Sequence, residues 1–138
     1  MTNKELIQEA KKARQRAYVP YSHHPVGAVL VTKDGKLYHG CNIENAAYGP
    51  TNCAERTAFF TAVCEGEREF TKIAVVGGLE GEDGNTLCAP CGVCRQVMME
   101  FCDPETFEII MPNGDEEPVT MLLKDLLPIG FGPKNLIK

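Results

Sequence analysis

A three-layer α/β/α sandwich built on one mixed sheet of about five strands is the fold class this sequence predicts, and three observations carry it. Stretches with apolar residues at helical spacing alternate with short β-branched runs, in the order αββαβαβ(β)α. Asp34-Gly35 supplies a hairpin turn between the first two strands. No internal repeat or linker interrupts the 138 residues, so they are expected to form one domain, 1–138, long enough to bury a core.

Each element has its own signal. Leu6, Ala10, Ala13 and Ala17 recur at helical spacing among Lys, Arg and Gln, which predicts an amphipathic helix over Glu5 to Ala17. Tyr18-Val-Pro-Tyr-Ser breaks it. Val26 to Thr32 is a β-branched strand, and the chain returns as a second strand from Leu37 to Ile43. Glu44 to Asn52 reads as loop. The helical pattern resumes from Cys53 to Cys64, with Gly66 as its stop. Thr71 to Leu79 is a buried strand and Gly81 to Thr86 an acidic loop. Cys91 to Phe101 is helical, with Pro90 just before it, where a missing N–H costs least. Phe107 to Met111 is a strand, Asn113-Gly114 a turn, Glu117 to Thr120 a short edge strand, and Leu122 to Leu127 a last helix stopped by Pro128.

Composition narrows the function classes. The chain is 43% hydrophobic and 24% charged, with a formal net charge of -5. A protein gripping phosphate backbones needs a positive field, so nucleic acid is disfavoured as a partner and a small molecule favoured. No apolar run approaches the roughly 20 residues that span a bilayer, and the segment Met1 to Ala10 lacks a signal-peptide apolar region. Expected are a cytoplasmic location and no membrane partner. Seven cysteines, an odd number, then point to metal ligands or buried thiols rather than a disulfide frame.

Two motifs carry chemistry: Cys53-Ala-Glu55 at the start of one helix and Pro90-Cys91-Gly-Val-Cys94 at the start of the next. Two cysteines three apart at a helix N-terminus let both sulfurs converge on one ion, and the helix dipole favours thiolate over thiol. With Cys53 the count is three, the number for a catalytic zinc that keeps one position open for water. No further His or Cys follows Cys53 or Cys94 closely enough to close the shell. A carboxylate at Glu55 beside such an ion is suited to moving a proton. A Cys-x-x-Cys pair by itself is a moderate signal, with a redox pair as the lesser alternative; its combination with Cys53 and Glu55 is what makes the zinc reading specific.

Those two motifs resemble the cysteine form of the zinc nucleoside deaminase signature. The likeness extends to Pro20-Tyr-Ser-His-His-Pro-Val-Gly-Ala28, Gly40-Cys-Asn-Ile-Glu-Asn-Ala46, Cys53-Ala-Glu-Arg-Thr-Ala58, Pro90-Cys-Gly-Val-Cys-Arg-Gln96 and Leu126-Leu-Pro-Ile-Gly-Phe-Gly-Pro133, almost end to end. The chain most resembles the small, homotetrameric cytidine deaminases. The resemblance implies one Zn2+ per chain, held by Cys53, Cys91 and Cys94 with the attacking water in the open position. It implies Glu55 as the acid/base that serves N3 of the pyrimidine; that role belongs to the zinc deaminase class and comes with the likeness, not from spacing. The implied reaction is deamination of cytidine and deoxycytidine to uridine and deoxyuridine with release of ammonia, in pyrimidine salvage.

Further residues follow from the same likeness. Three thiolates on a divalent ion leave the centre one charge negative, and Arg56, donating to sulfur, would offset that. Asn42 and Glu44, on alternate positions at a strand end, would bind the ribose 3′-hydroxyl. The Ala54 backbone would meet the base edge. Ala46 and Tyr48 would reach a neighbouring subunit's site, and Phe131 would add an aromatic contact from another subunit. Read without the family, Arg56 is a solvated helix arginine and Asn42 with Glu44 a pair of no function.

One departure stands out. The family usually carries Phe, stacked on the pyrimidine, where this chain has His24. Histidine keeps a flat ring but adds polarity, so a raised KM or a slightly altered base preference is expected, and a deaminase for another aminopyrimidine stays open. Cys41, Cys64, Cys88 and Cys102 are expected in or near the core, with Cys88 a weak candidate for a fourth ligand. His39 is expected on an exposed strand position. The acidic loop 81–89 has no assigned role.

Overall fold

A computed structural model describes residues 1–137; Lys138, the last residue of the expected domain, lies outside the described residues. Five strands form one mixed sheet in the order β2-β1-β3-β4-β5. They are β1 (Val26–Thr32), β2 (Leu37–Cys41), β3 (Phe70–Gly77), β4 (Glu108–Met111) and β5 (Val119–Leu122). β1 pairs antiparallel with both β2 and β3, β3 pairs parallel with β4, and β4 pairs antiparallel with β5. Four α-helices accompany the sheet: α1 (Asn3–Arg14), α2 (Ala54–Cys64), α3 (Gly92–Phe101) and α4 (Leu123–Leu126).

Because successive strand residues face opposite sides, a strand buried on both faces sorts its apolar residues into two cores. Val29, Ala74, Val76 and Ile110 meet Leu6, Ile7 and Ala10 of α1 on one side. Ala28, Leu30, Ile73, Val75, Ile109 and Met111 meet Ala54, Ala58, Phe59, Cys94 and Met98 of α2 and α3 on the other. Phe59 lies at the centre of the second core, edge-on to Phe70 with centroids 5.2 Å apart and flanked by Phe101 and Phe107. Truncating it to Ala removes that packing at a cost of roughly 3–5 kcal/mol. These two cores are the expected three layers.

Element ends moved for local reasons. α1 begins at Asn3 because Thr2 and Glu5 form a capping box. It ends at Arg14, not Ala17: the N–H groups of Arg16 and Ala17 bond three residues back, and the chain then leaves to pair Tyr18 with Ile43. β2 ends at Cys41, not Ile43, since Gly27↔Cys41 is the last register pair it makes with β1. Cys91 caps α3, so the helix starts at Gly92 and Pro90 stands outside it. β5 starts at Val119, one residue after Pro118, which has no N–H for the ladder. Cys102 is buried and Cys41 and Cys88 half-buried, but Cys64, at the solvent end of α2, is exposed. His39 is half-buried and its ring bonds Glu9 at 3.0 Å.

Candidate metal centre and adjoining cavity

The N-termini of α2 and α3 point to the same place. Cys53 and Cys91 are the two N-cap residues, both extended, and neither sulfur caps its own helix. Their sulfurs are free to face each other. Cys53 Sγ lies 3.8 Å from Cys91 Sγ, Cys91 Sγ lies 3.5 Å from Cys94 Sγ, and all three are within 4.8 Å of one another. Tetrahedral zinc with sulfur at 2.3 Å needs sulfurs about 3.8 Å apart. The donor set therefore fits zinc in spacing as well as in chemistry. Among the described residues no fourth His, Cys, Asp or Glu joins the cluster; Cys88 stays outside it, its thiol pushed up to about 11, first by burial and then by the nearby Glu55 charge.

Protons are shared unevenly across the sulfurs. The hydrogen bond from Cys94 draws Cys53 down to about 5, helped by Arg56 and Cys91. That same bond and burial push Cys94 upward. Arg56 Nη2 donates to Cys53 Sγ at 3.2 Å, while its Nε is buried with no partner among the described residues. The solvated reading of Arg56 is thus replaced by a sulfur contact.

Glu55 is 4% exposed, on the first turn of α2. Burial pushes its carboxyl up to about 7, and the Cys53 charge adds to the shift. A carboxyl in that range can both accept and release a proton near neutrality. It lines a cavity of about 200 Å³ with His24, Val26, Asn42, Cys53, Ala54, Cys88, Ala89 and Cys91.

Of the sequence-derived candidates, the fold brings His24, Asn42, Cys53, Ala54, Glu55 and Cys91 to that cavity, with Cys94 and Arg56 behind it. Asn42 lines that cavity and Glu44 does not. Asn42 Oδ1 accepts from the Val26 N–H at 2.8 Å and its Nδ2 donates to the His24 carbonyl at 2.9 Å. Glu44 lines a separate hollow with Tyr21, Ser22, Tyr48 and Thr51, where its Oε1 accepts from the N–H groups of Tyr21 and Ser22, each at 3.1 Å. Ala46, Tyr48 and Phe131 are exposed away from the cavity of their own chain. Tyr48 takes a left-handed backbone (φ 61°), and the Phe131 carbonyl accepts from Gln96 Nε2 at 2.7 Å.

Sequence reasoning missed Gly77 at the end of β3. A Cβ there would stand 2.7 Å from Cys88 Sγ and 3.5 Å from His24 Nε2, so the cavity wall depends on a bare backbone. Nothing in the local sequence marks it. Arg95 was quoted only as part of a motif; its Nε donates to the Pro90 carbonyl at 2.8 Å and its Nη1 to the Leu126 carbonyl at 2.7 Å, fixing the approach to Cys91.

Comparison with known proteins agrees with this geometry. The model of the family described as the cytidine and deoxycytidylate deaminase zinc-binding region matches residues 1–109. A cytidine deaminase of Sporosarcina psychrophila is 51% identical over 138 residues, covering 99% of this chain and 96% of the relative. One from Halalkalibacterium halodurans is 47% identical, covering 99% and 98%. The crystal structure of cytidine deaminase from Burkholderia pseudomallei superposes with a TM-score of 0.84 at 52% identity, over 95% of this chain and 100% of that one. With cysteines at two converging helix N-termini, a buried carboxyl beside them and this likeness over nearly the whole length, the chain belongs to the cytidine deaminase family of hydrolytic enzymes.

Proposed function

We propose that this chain hydrolyses the 4-amino group of cytidine and deoxycytidine, giving uridine or deoxyuridine and ammonia, in cytoplasmic pyrimidine salvage. The observation that carries the proposal is Glu55, buried at the cavity wall within two residues of Cys53 and pushed up to about 7. Cys53, Cys91 and Cys94 would hold one zinc ion, which when bound supplies the Lewis acidity that makes water nucleophilic at neutral pH. Arg56 donates to Cys53 Sγ and so withdraws charge from a thiolate-rich centre.

The chain's own groups do the rest. Glu55 takes a proton from the attacking water and delivers it to N3 as C4 is attacked. It then takes the proton of the new C4 hydroxyl and passes it to the 4-amino nitrogen, which leaves as ammonia as the C4 carbonyl forms. His24 stacks on the ring, the Ala54 backbone meets the base edge, and Asn42 binds the ribose 3′-hydroxyl. Glu44 joins it at the ribose, with its Oε1 held by the Tyr21 and Ser22 N–H groups. Ala46, Tyr48 and Phe131 complete the sites of neighbouring copies in a homotetramer; the exposure of Tyr48 (73%), Ile129 (104%) and Phe131 (56%) supports that arrangement.

The test is the ultraviolet absorbance change of cytidine with zinc-loaded protein, run beside Glu55→Gln. Removing the proton carrier should cost at least about 10²–10⁴ in kcat at unchanged zinc content. A native chain that binds zinc one per chain and leaves cytidine intact would refute the substrate assignment.

A further inference from the structure

Arg14, the last residue of α1, does not line the cavity, yet four of its bonds end on two segments, one of which carries His24 and Val26 of the cavity wall. Its Nε donates to the Pro25 carbonyl at 2.9 Å. Its Nη2 donates to the carbonyls of Gly78 at 2.8 Å and Leu79 at 3.0 Å, and its Nη1 to that of Glu82 at 2.9 Å. Every one of these acceptors is backbone, so the bonds set loop position rather than pair charges. A guanidinium offers five donors in a rigid plane. Lysine concentrates three donors on one atom and cannot span carbonyls from both loops.

The loops so held converge on His24. The His24 carbonyl accepts from Asn42, the Pro25 carbonyl from Arg14, and the Val26 N–H donates to Asn42, so three consecutive residues are gripped from opposite sides. The second loop adds another tie, with the Glu80 N–H donating to the His23 carbonyl at 2.8 Å. His23 itself takes a left-handed backbone (φ 55°), a conformation uncommon outside glycine but one that histidine adopts more readily than most residues. The backbone that carries the His24 ring to the cavity is thereby held.

We propose that Arg14 is a positioning residue for substrate binding, acting through His24 by clamping the 23–26 and 78–82 segments together. This rests on the nucleoside reading of the cavity given above. It assigns a role to the acidic loop, whose backbone rather than its charges is what Arg14 holds. Arg14 makes no hydrogen bond to α2 or α3 among the described residues, so the clamp bears on KM and leaves the proton transfer to Glu55.

The test is Arg14→Lys, which keeps charge and helix propensity and loses only the fork. KM for cytidine should rise roughly fivefold through lost preorganisation, with kcat within about twofold and zinc content unchanged. In a His24→Ala background the same substitution should change KM by less than about 1.5-fold, because the two residues act in series. An unchanged KM, an undiminished rise in the His24→Ala background, or a fall in kcat tracking lost zinc would each overturn the proposal. Amide hydrogen exchange at Val26 and Glu80 reads the clamp without substrate: faster exchange in Arg14→Lys supports it and unchanged exchange refutes it. A native protein inactive on cytidine but showing that acceleration would sink the substrate assignment and leave the clamp standing.

Discussion

Gly40 and Ala54 approach so closely that a Cβ at position 40 would stand 2.3 Å from the Ala54 carbonyl oxygen and 2.6 Å from the Ala58 N–H nitrogen. The first turn of α2 lies flush on β2 at this point, and that turn carries Cys53 and Glu55. Both opposing atoms are backbone, so neither can swing aside.

Gly40→Ala should therefore lift the N-terminus of α2 from the sheet. Overpacking of this kind costs roughly 1–3 kcal/mol and sometimes more. The expected outcome is a lowered Tm together with weaker zinc retention on dialysis against a mild chelator. Full zinc retention with wild-type activity would show that the contact does not set the position of Cys53.

Gly77→Ala meets a softer obstacle, the Cys88 sulfur at 2.7 Å, with Val26 Cγ2 at 3.1 Å. A single rotation can move the thiol, but only into the cavity or against its wall. We expect a loss of about 1–3 kcal/mol with a raised KM, and recovery of both when Cys88→Ala is added, a coupling that a double-mutant cycle reads directly.

Glu44 should behave as a loop anchor with a defined pH window. The Ser22 hydroxyl first, joined by the Ser22 and Tyr21 N–H groups, holds its carboxyl below the ordinary carboxylate value against the opposing effect of burial. A depressed carboxyl contributes stability that is complete above its unfolded value and lost as pH falls through the folded one. The Tm difference between native protein and Glu44→Gln should thus be constant from about pH 5 to 8 and shrink below about pH 4. A difference that persists at low pH would mean the anchor is not ionic.

His24→Phe tests the one clear departure from the family pattern. Restoring an apolar stacking ring should lower KM for cytidine roughly two- to tenfold, the equivalent of about 0.5–1.5 kcal/mol, with kcat little changed. Steady-state rates across pH 5 to 8 check it; a KM unaltered throughout would mean the ring at position 24 does not face the base.

The three clustered cysteines were legible in the sequence because their signal is local. Cys91 and Cys94 are three apart on one helix start, and Cys53-Ala-Glu55 opens another, so type and spacing single out the candidate donors. The placing of Asn42 and Glu44 in two hollows was not legible there, because it rests on bonds to a segment distant in the chain: Asn42 to the 24–26 backbone and Glu44 to the 21–22 backbone.

Periodicity, turn residues and the two cysteine motifs were enough, by themselves, to determine the layered α/β class, the order of the elements and the three cysteines that cluster. Three things were decided only by tertiary structure: the meeting of two helix N-termini at one point, the burial that lifts Glu55 toward neutrality, and the use of Arg14, Gly40 and Gly77 to seat the walls around them. Each of these depends on contacts between residues far apart in the chain. Sequence spacing reports which groups share an element; only packing determines which elements share a site, and how little water reaches the carboxyl between them.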